Sequence, residues 1–384
     1  MALKTCTALA VAVLLTLGVS AAPGPAPALP PPRVGVGAGV LVDAATGQVL
    51  WAHRAYRQMD PASTTKIMTA YLVIRAGGLE RTAAVSRRAA ATPGSRMHLS
   101  ANDRYTIMDL LRGLLLPSGN DAAVALAEAE SGSVPAFVAE MNREARALGA
   151  YQTHFVNPNG LTERGHYSSA YDLALIARAA LGQPVFQHLV STPEARVTEL
   201  RRGARRVLHN SNRLLEAFPA VDGVKTGTTN AAGPCLVASA TQHGTQLIAV
   251  VLHAPHRWQA AASLLRWGFA AWHRVVWLAP THPVAQIRVT GGTQSTVAAV
   301  PRSPLSTLVP HGAVDAARFV TTSAATLRAP VRRGAVVGRV TVVVNGTPVG
   351  SRQLVAAVSV ERRVAGRPLP WPWTLFVRAP PEVS

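Results

Sequence analysis

Apolar and polar positions change their rhythm three times along this chain. From Val34 the run Gly-Val-Gly-Ala-Gly-Val-Leu-Val, then Asp43-Ala44-Ala45-Thr46-Gly47, then Gln-Val-Leu-Trp reads as two short strands around a turn, a hairpin pattern. From Ser63 the spacing becomes helical, with predicted helices over 63–74, 106–116, 121–131, 134–148 and 169–181. Strand-like runs return at 196–200, 205–209, around 226, 234–241 and 246–253, before a last helix predicted over 258–275. Strands at both ends of a helical middle predict one mixed sheet built from the two ends of an α+β domain over 34–280. From 284 to 363 valine-rich runs at 284–290, 296–300, 336–344 and 354–360 alternate with Gly/Pro turns, and Asn345-Gly346 marks a hairpin, so a small all-β domain is expected there.

The ends have a different character. Residues 1–21 carry one cation (Lys4), an apolar stretch over 8–19 and Val19-Ser20-Ala21, the pattern of a secretory signal peptide. Residues 22–33 are a proline-rich linker. The tail over 364–384 groups Trp371, Trp373 and Phe376 with Arg378, which suits contact with a membrane interface.

Composition narrows the function. At 48% hydrophobic and 15% charged the chain should be globular, and its net charge of +19 implies anionic surroundings. Nucleic acid is a poor candidate: the arginines are scattered singly or in pairs, without an aromatic–basic motif. Anionic membrane or wall polymer fits better, particularly for the C-terminal region. Cys6 falls in the leader, so Cys235 is expected as an unpaired, buried strand residue. The histidines are dispersed, so neither a metal nor another cofactor is expected.

The candidate chemistry centres on Ser63-Thr64-Thr65-Lys66. Three residues apart on a helix, Ser63 and Lys66 share a face, where an uncharged lysine can take the serine proton. Beyond the leader the sequence holds just two lysines, Lys66 and Lys225, among thirty-five arginines. A lysine kept where arginine is otherwise used suggests a site needing a compact cation whose pKa can move. Two further stretches complete the set: Ser118-Gly119-Asn120, after Pro117, and Lys225-Thr226-Gly227, at the start of a strand.

Ser-x-x-Lys, Ser-Asp-Asn and Lys-Thr-Gly are the joint signature of class A β-lactamases and penicillin-binding proteins, and all three occur here in that order, with glycine in the middle position of the second. With Phe155-Val156-Asn157-Pro158-Asn159-Gly160-Leu161 and Asp222-Gly223 beside them, residues 34–363 resemble the D-alanyl-D-alanine carboxypeptidases, low-molecular-mass penicillin-binding proteins of the S11 serine peptidase family. The resemblance implies an α+β, serine β-lactamase-like transpeptidase domain, helices around an antiparallel sheet, followed by a small all-β domain. It implies removal of the terminal D-alanine from peptidoglycan stem peptides outside the bacterial cytoplasmic membrane, and acylation by β-lactams. Ser63 would be the nucleophile, Lys66 its base and Ser118 the proton donor to the leaving group. Asn120 would hold the peptide amide, the N–H groups of Ser63 and Thr228 would form the oxyanion hole, and Lys225, Thr226 and Gly227 would line the substrate strand. Lys225 would also lower the pKa of Lys66. Thr228 stands where many relatives have histidine, and Arg257 is the nearest candidate for their carboxylate-binding arginine. Glu163, a possible β-lactamase-like base, reads as a solvated loop carboxylate, and His154 and Asp172 read as structural. The alternatives are a β-lactamase or D,D-endopeptidase on the same scaffold, or a non-catalytic wall- or membrane-binding protein.

Overall fold

The computed structural model describes residues 29–363; the expected leader (1–21), the linker up to residue 28 and the tail (364–384) lie outside them. The most apolar strand of the hairpin, β1 (Ala38–Asp43), is buried along its whole length, and β2 (Val49–His53) pairs with it. A single 3-10 turn, Ala62–Thr65, leads into α1 (Lys66–Ala76). Short strands β3 (Thr82–Ala84) and β4 (Arg104–Thr106) follow, with the one-turn helix α2 (Arg87–Ala90) between them. The helical block continues with α3 (Ile107–Leu115), α4 (Asn120–Ser131), α5 (Val134–Ala147), α6 (Ala170–Leu181) and α7 (Pro184–Ser191). Side-chain caps fix three of these starts: Thr106 Oγ1 accepts from Asp109 N at 3.0 Å, Ser133 Oγ from Ala136 N at 3.3 Å and Ser169 Oγ from Asp172 N at 3.1 Å.

The chain returns through a hairpin, β5 (Glu194–Thr198) with β6 (Arg205–His209), and a one-turn helix, α8 (Leu214–Ala217). It then enters β7 (Val221–Thr229), β8 (Gly233–Gln242) and β9 (Thr245–Leu252). The five-stranded sheet has the order β2-β1-β9-β8-β7. Both ends of the domain build it, as expected, but every pairing is antiparallel rather than mixed. Tight hairpin turns join β7 to β8 and β8 to β9, and such turns admit no parallel neighbour. Alternate residues serve two cores. Val40, Val42, Val237 and Val250 face the helical block, whereas Leu41, Leu236, Ala238 and Val251 face α9 (Arg257–Ala271). β7 is left at the edge, where a ligand backbone can lie alongside it.

The last helix is shorter than its apolar spacing predicted. At Trp272 the chain becomes β10 (Trp272–Leu278), a run rich in aromatic and β-branched residues that favour strand. β11 (Ala285–Thr290) and β12 (Thr296–Pro301) follow, and β13 (Leu305–Pro310) pairs back with β10. β14 (Ala317–Ser323), β15 (Thr326–Arg328), β16 (Val336–Val344) and β17 (Thr347–Ala356) complete a six-stranded sheet in the order β14-β16-β17-β12-β11-β15. Asn345 and Gly346 turn β16 into β17 with φ of +49° and +78°, the positive values a two-residue hairpin needs.

Asp43, fully buried, ties the first hairpin to β10. Its carboxylate accepts from Thr46 Oγ1 at 2.6 Å and from Arg274 Nη2 at 2.6 Å. Asp43→Ala leaves a largely buried guanidinium unpaired, and should lower unfolding stability by about 2–4 kcal/mol, read as a denaturant midpoint at unchanged slope.

Candidate active site

The site is built around one strained turn. Ala62 has φ +48°, a left-handed conformation costing roughly 1 kcal/mol in a residue with a Cβ. Two glycines close on it. A Cβ on Gly160, whose φ is +85°, would lie 1.9 Å from Ala62 O, and one on Gly227 would lie 2.9 Å from Ser63 N. Glycine at both positions lets the loop after α5 press against the Ala62 carbonyl and the edge strand β7 against the Ser63 amide.

Ser63 is half-buried and Lys66 fully buried. Lys66 Nζ lies 2.9 Å from Ser63 Oγ, 2.6 Å from Asn120 Oδ1 and 2.6 Å from the carbonyl oxygen of Asn159. Asn120 Nδ2 donates to Pro93 O at 2.7 Å, which fixes Oδ1 as the end facing the lysine. Burial first, then the charge of Lys225, hold the Lys66 amine well below its ordinary pKa, while Asp121 acts in the opposite direction. A neutral amine has two N–H bonds and one lone pair. Asn120 Oδ1 and Asn159 O can only accept, so they take both N–H bonds and the lone pair is left facing the Ser63 hydroxyl. That is the arrangement a general base needs.

Ser118 sits with φ +67° on the turn between α3 and α4, buried, and its hydroxyl has no protein partner. The turn is pinned by Asn120 N to Ser95 O at 2.7 Å, and by the Asp121 carboxylate, which accepts from the N–H groups of Met97, Leu99 and Ala122 at 2.9–3.0 Å. Both ends of the Asn120 carboxamide are engaged, so here it orients Lys66, a role the sequence reading had not given it.

On β7, Lys225 is buried and donates to Thr226 O at 3.0 Å, and Thr226 Oγ1 meets Ser211 Oγ at 2.8 Å. Burial and the neighbouring Arg257 bring the Lys225 amine down to about 7. Arg257 opens α9, stacks 4.6 Å over the Trp258 ring and donates to Gly227 O and Thr228 Oγ1, both at 2.8 Å. The structure thus brings the candidate carboxylate-binding arginine onto the end of the Lys-Thr-Gly strand. Neither Lys66 nor Lys225 reaches the surface.

Glu163 is an exposed loop carboxylate that accepts from Asn157 Nδ2 at 3.2 Å. His154 Nδ1 lies 2.7 Å from Gly165 O, and buried Asp172 accepts from Gln152 N and Thr153 Oγ1, so both have structural partners. Sequence reasoning missed the Asn159 carbonyl and the buried His166, which touches Thr65; a main-chain oxygen has no residue signature, and nothing in the spacing singled out this histidine. Among the described residues no three His, Cys, Asp or Glu side chains gather to hold a metal. A cavity of about 720 Å³ lies between the first hairpin and the C-terminal strands, and none of the candidate site residues lines it.

A sequence model of the D-alanyl-D-alanine carboxypeptidases matches residues 26–256, and one of the penicillin-binding protein 5 C-terminal domain matches 280–362. The chain is 37% identical over 281 residues to D-alanyl-D-alanine carboxypeptidase DacF of Bacillus subtilis, covering 71% of this chain and 72% of the relative. It is 35% identical over 339 residues to DacC of Escherichia coli, covering 84% and 83%. The crystal structure of penicillin-binding protein 5 from Haemophilus influenzae superposes with a TM-score of 0.78 at 31% identity, covering 87% of this chain and 100% of that one.

The buried lysines give the fold a pH signature. Between about 7 and the ordinary value of 10.5, the unfolded chain holds a proton on Lys225 that the folded chain has shed, so raising the pH through this window stabilises the fold. Below it both states are protonated and the burial penalty is largest. Lys225→Met removes that penalty, and its gain in stability over the parent should be greater at pH 6 than at pH 10, by on the order of 4 kcal/mol. Equal gains at both pH values would show that Lys225 keeps its charge in the fold.

Proposed function

The chain belongs to the D-alanyl-D-alanine carboxypeptidase family of serine hydrolases, and from that membership we propose that it removes the terminal D-alanine of peptidoglycan stem peptides through an acyl-enzyme on Ser63. The observation that carries the assignment to these residues is Lys66 Nζ lying 2.9 Å from Ser63 Oγ, with its other two close partners, Asn120 Oδ1 and Asn159 O, both acceptors. Ser63 Oγ attacks the carbonyl of the penultimate D-alanine as its proton passes to Lys66. Negative charge then grows on the carbonyl oxygen, and the N–H groups of Ser63 and Thr228 receive it; the Gly227 backbone against Ser63 N supports this pairing. The unpartnered Ser118 hydroxyl passes a proton to the departing D-alanine and is resupplied with the proton that Lys66 took from Ser63; water then cleaves the ester, giving its proton to Lys66 and restoring the Ser63 hydroxyl.

Arg257, Lys225 and Thr226 receive the substrate carboxylate, with Arg257 held ready by Gly227 O and Thr228 Oγ1. Thr228 offers a hydroxyl where many relatives have an imidazole. For Asn120 the contacts favour orienting Lys66, with Nδ2 turning from Pro93 O to a substrate carbonyl as a second use. β-Lactams acylate Ser63 by the same route, and exposed Glu163, tied to Asn157, offers little help in clearing the adduct, which argues for carboxypeptidase over β-lactamase.

The protein is exported and works in the cell envelope, a reading that rests on the 1–21 leader. Its C-terminal region contacts anionic membrane or wall polymer: Arg288, Arg318, Arg328, Arg332, Arg333 and Arg339 are all exposed there. Among the described residues no helix is long and apolar enough to cross a membrane.

Incubation with a D-Ala-D-Ala-ended peptide should release D-alanine, and Ser63→Ala should abolish release. Arg257→Leu should lower kcat/KM by roughly 10–100-fold for the free acid. The amidated peptide, without a terminal charge, should lose much less. Equal losses on both peptides would remove Arg257 from the carboxylate site.

A further inference from the structure

We propose that His166 is a positioning residue, one that holds the Asn159 carbonyl against the Lys66 amine by clamping the loop at 156–161 to the start of the catalytic helix. This rests on Lys66 being the base. His166 is 3% exposed and its ring joins two chain segments. Nδ1 accepts from Val156 N at 3.1 Å, and a backbone amide can only donate, so Nδ1 carries no proton. The ring hydrogen therefore sits on Nε2 and is donated to Thr65 Oγ1, 2.9 Å away. Thr65 directly precedes Lys66, and Val156 directly precedes Asn157-Pro158-Asn159.

The loop itself is stiff. Asn157 Oδ1 accepts from Gly160 N at 2.8 Å and Asn159 Oδ1 from Leu161 N at 2.9 Å, so it moves as a unit. It meets the helix at three places: His166, Thr69 Oγ1 donating to Pro158 O at 2.6 Å, and Lys66 donating to Asn159 O. The third cannot fix the loop alone, because Lys66 changes charge during each turnover. His166 and Thr69 hold the carbonyl in place through both protonation states, which is what preorganisation of a base requires.

The clamp works only while the ring is neutral; an imidazolium would turn Nδ1 into a donor facing the Val156 N–H. Burial lowers its pKa to about 4, and the charges facing it, His154 and Lys66, act in the same direction; the Phe155 ring, 5.7 Å away, adds none.

Two measurements on the full chain test this. With ¹⁵N-labelled histidine, His166 should show the neutral Nε2–H tautomer at pH 7; an imidazolium or an Nδ1–H tautomer overturns the proposal. His166→Asn keeps an acceptor for Val156 N and loses the donor to Thr65, while Thr65→Val removes the acceptor from the other side. Each should lower kcat for D-alanine release about tenfold with KM little changed. The double variant should lose no more than either single one. A wild-type kcat in His166→Asn, or losses that multiply, would count equally against the clamp. A parent protein inactive on every D-alanine-ended peptide would instead strike at the functional assignment, and the tautomer measurement would still decide the clamp.

Discussion

A buried amine that must stay uncharged governs the design of this molecule. Three basic side chains stand in sequence: half-buried Arg257, buried Lys225, and Lys66 against the serine. Each depresses the proton affinity of the next, Arg257 acting on Lys225 and Lys225 on Lys66. Asp121, the carboxylate acting on Lys66, spends its oxygens on three backbone N–H groups rather than on a lysine. The pocket is therefore electropositive before any ligand arrives, yet it contains a free lone pair. An oxyanion forming there meets positive potential and fixed N–H dipoles that need no reorganisation.

Such a pocket cannot be assembled by one element. Lys66 belongs to α1, Asn120 to α4, Asn159 to a loop and Lys225 to β7. They converge because the sheet edge and the loop press on the same left-handed turn at Ala62, where Gly160 and Gly227 leave room that no side chain could share. Strain in the turn is carried by its surroundings, a pattern found where geometry serves chemistry.

The parts that could be read from the sequence were those written in side chains at short range. The pairs Ser63/Lys66, Ser118/Asn120 and Lys225/Thr226 sit close enough that a helix, a turn and a strand each deliver two groups together. Whole strands such as β1 and β8 were equally plain, since long apolar runs have few other destinations. Arg257 was visible as a candidate, but its contact with Thr228 depends on how α9 packs behind the sheet. The Asn159 carbonyl, the Pro93 carbonyl that holds Asn120 Nδ2 and the tautomer of His166 were not visible at all, because each is a relation between distant segments. At β10 the apolar spacing also fits a helix, and the choice is made by pairing with β13, more than thirty residues later.

The division of labour between the two kinds of cation has a further effect. Guanidinium groups stay charged at any physiological pH, and they furnish nearly all the positive charge on the exterior. Lys66 and Lys225, whose amines burial holds below the ordinary lysine pKa, are walled inside the pocket. The guanidinium charge on the exterior therefore persists through the pH range in which the two buried amines exchange their protons. Exterior charge and interior reactivity are thus uncoupled: a shift in ambient acidity can change the protonation of the buried amines without altering the fixed guanidinium field around them.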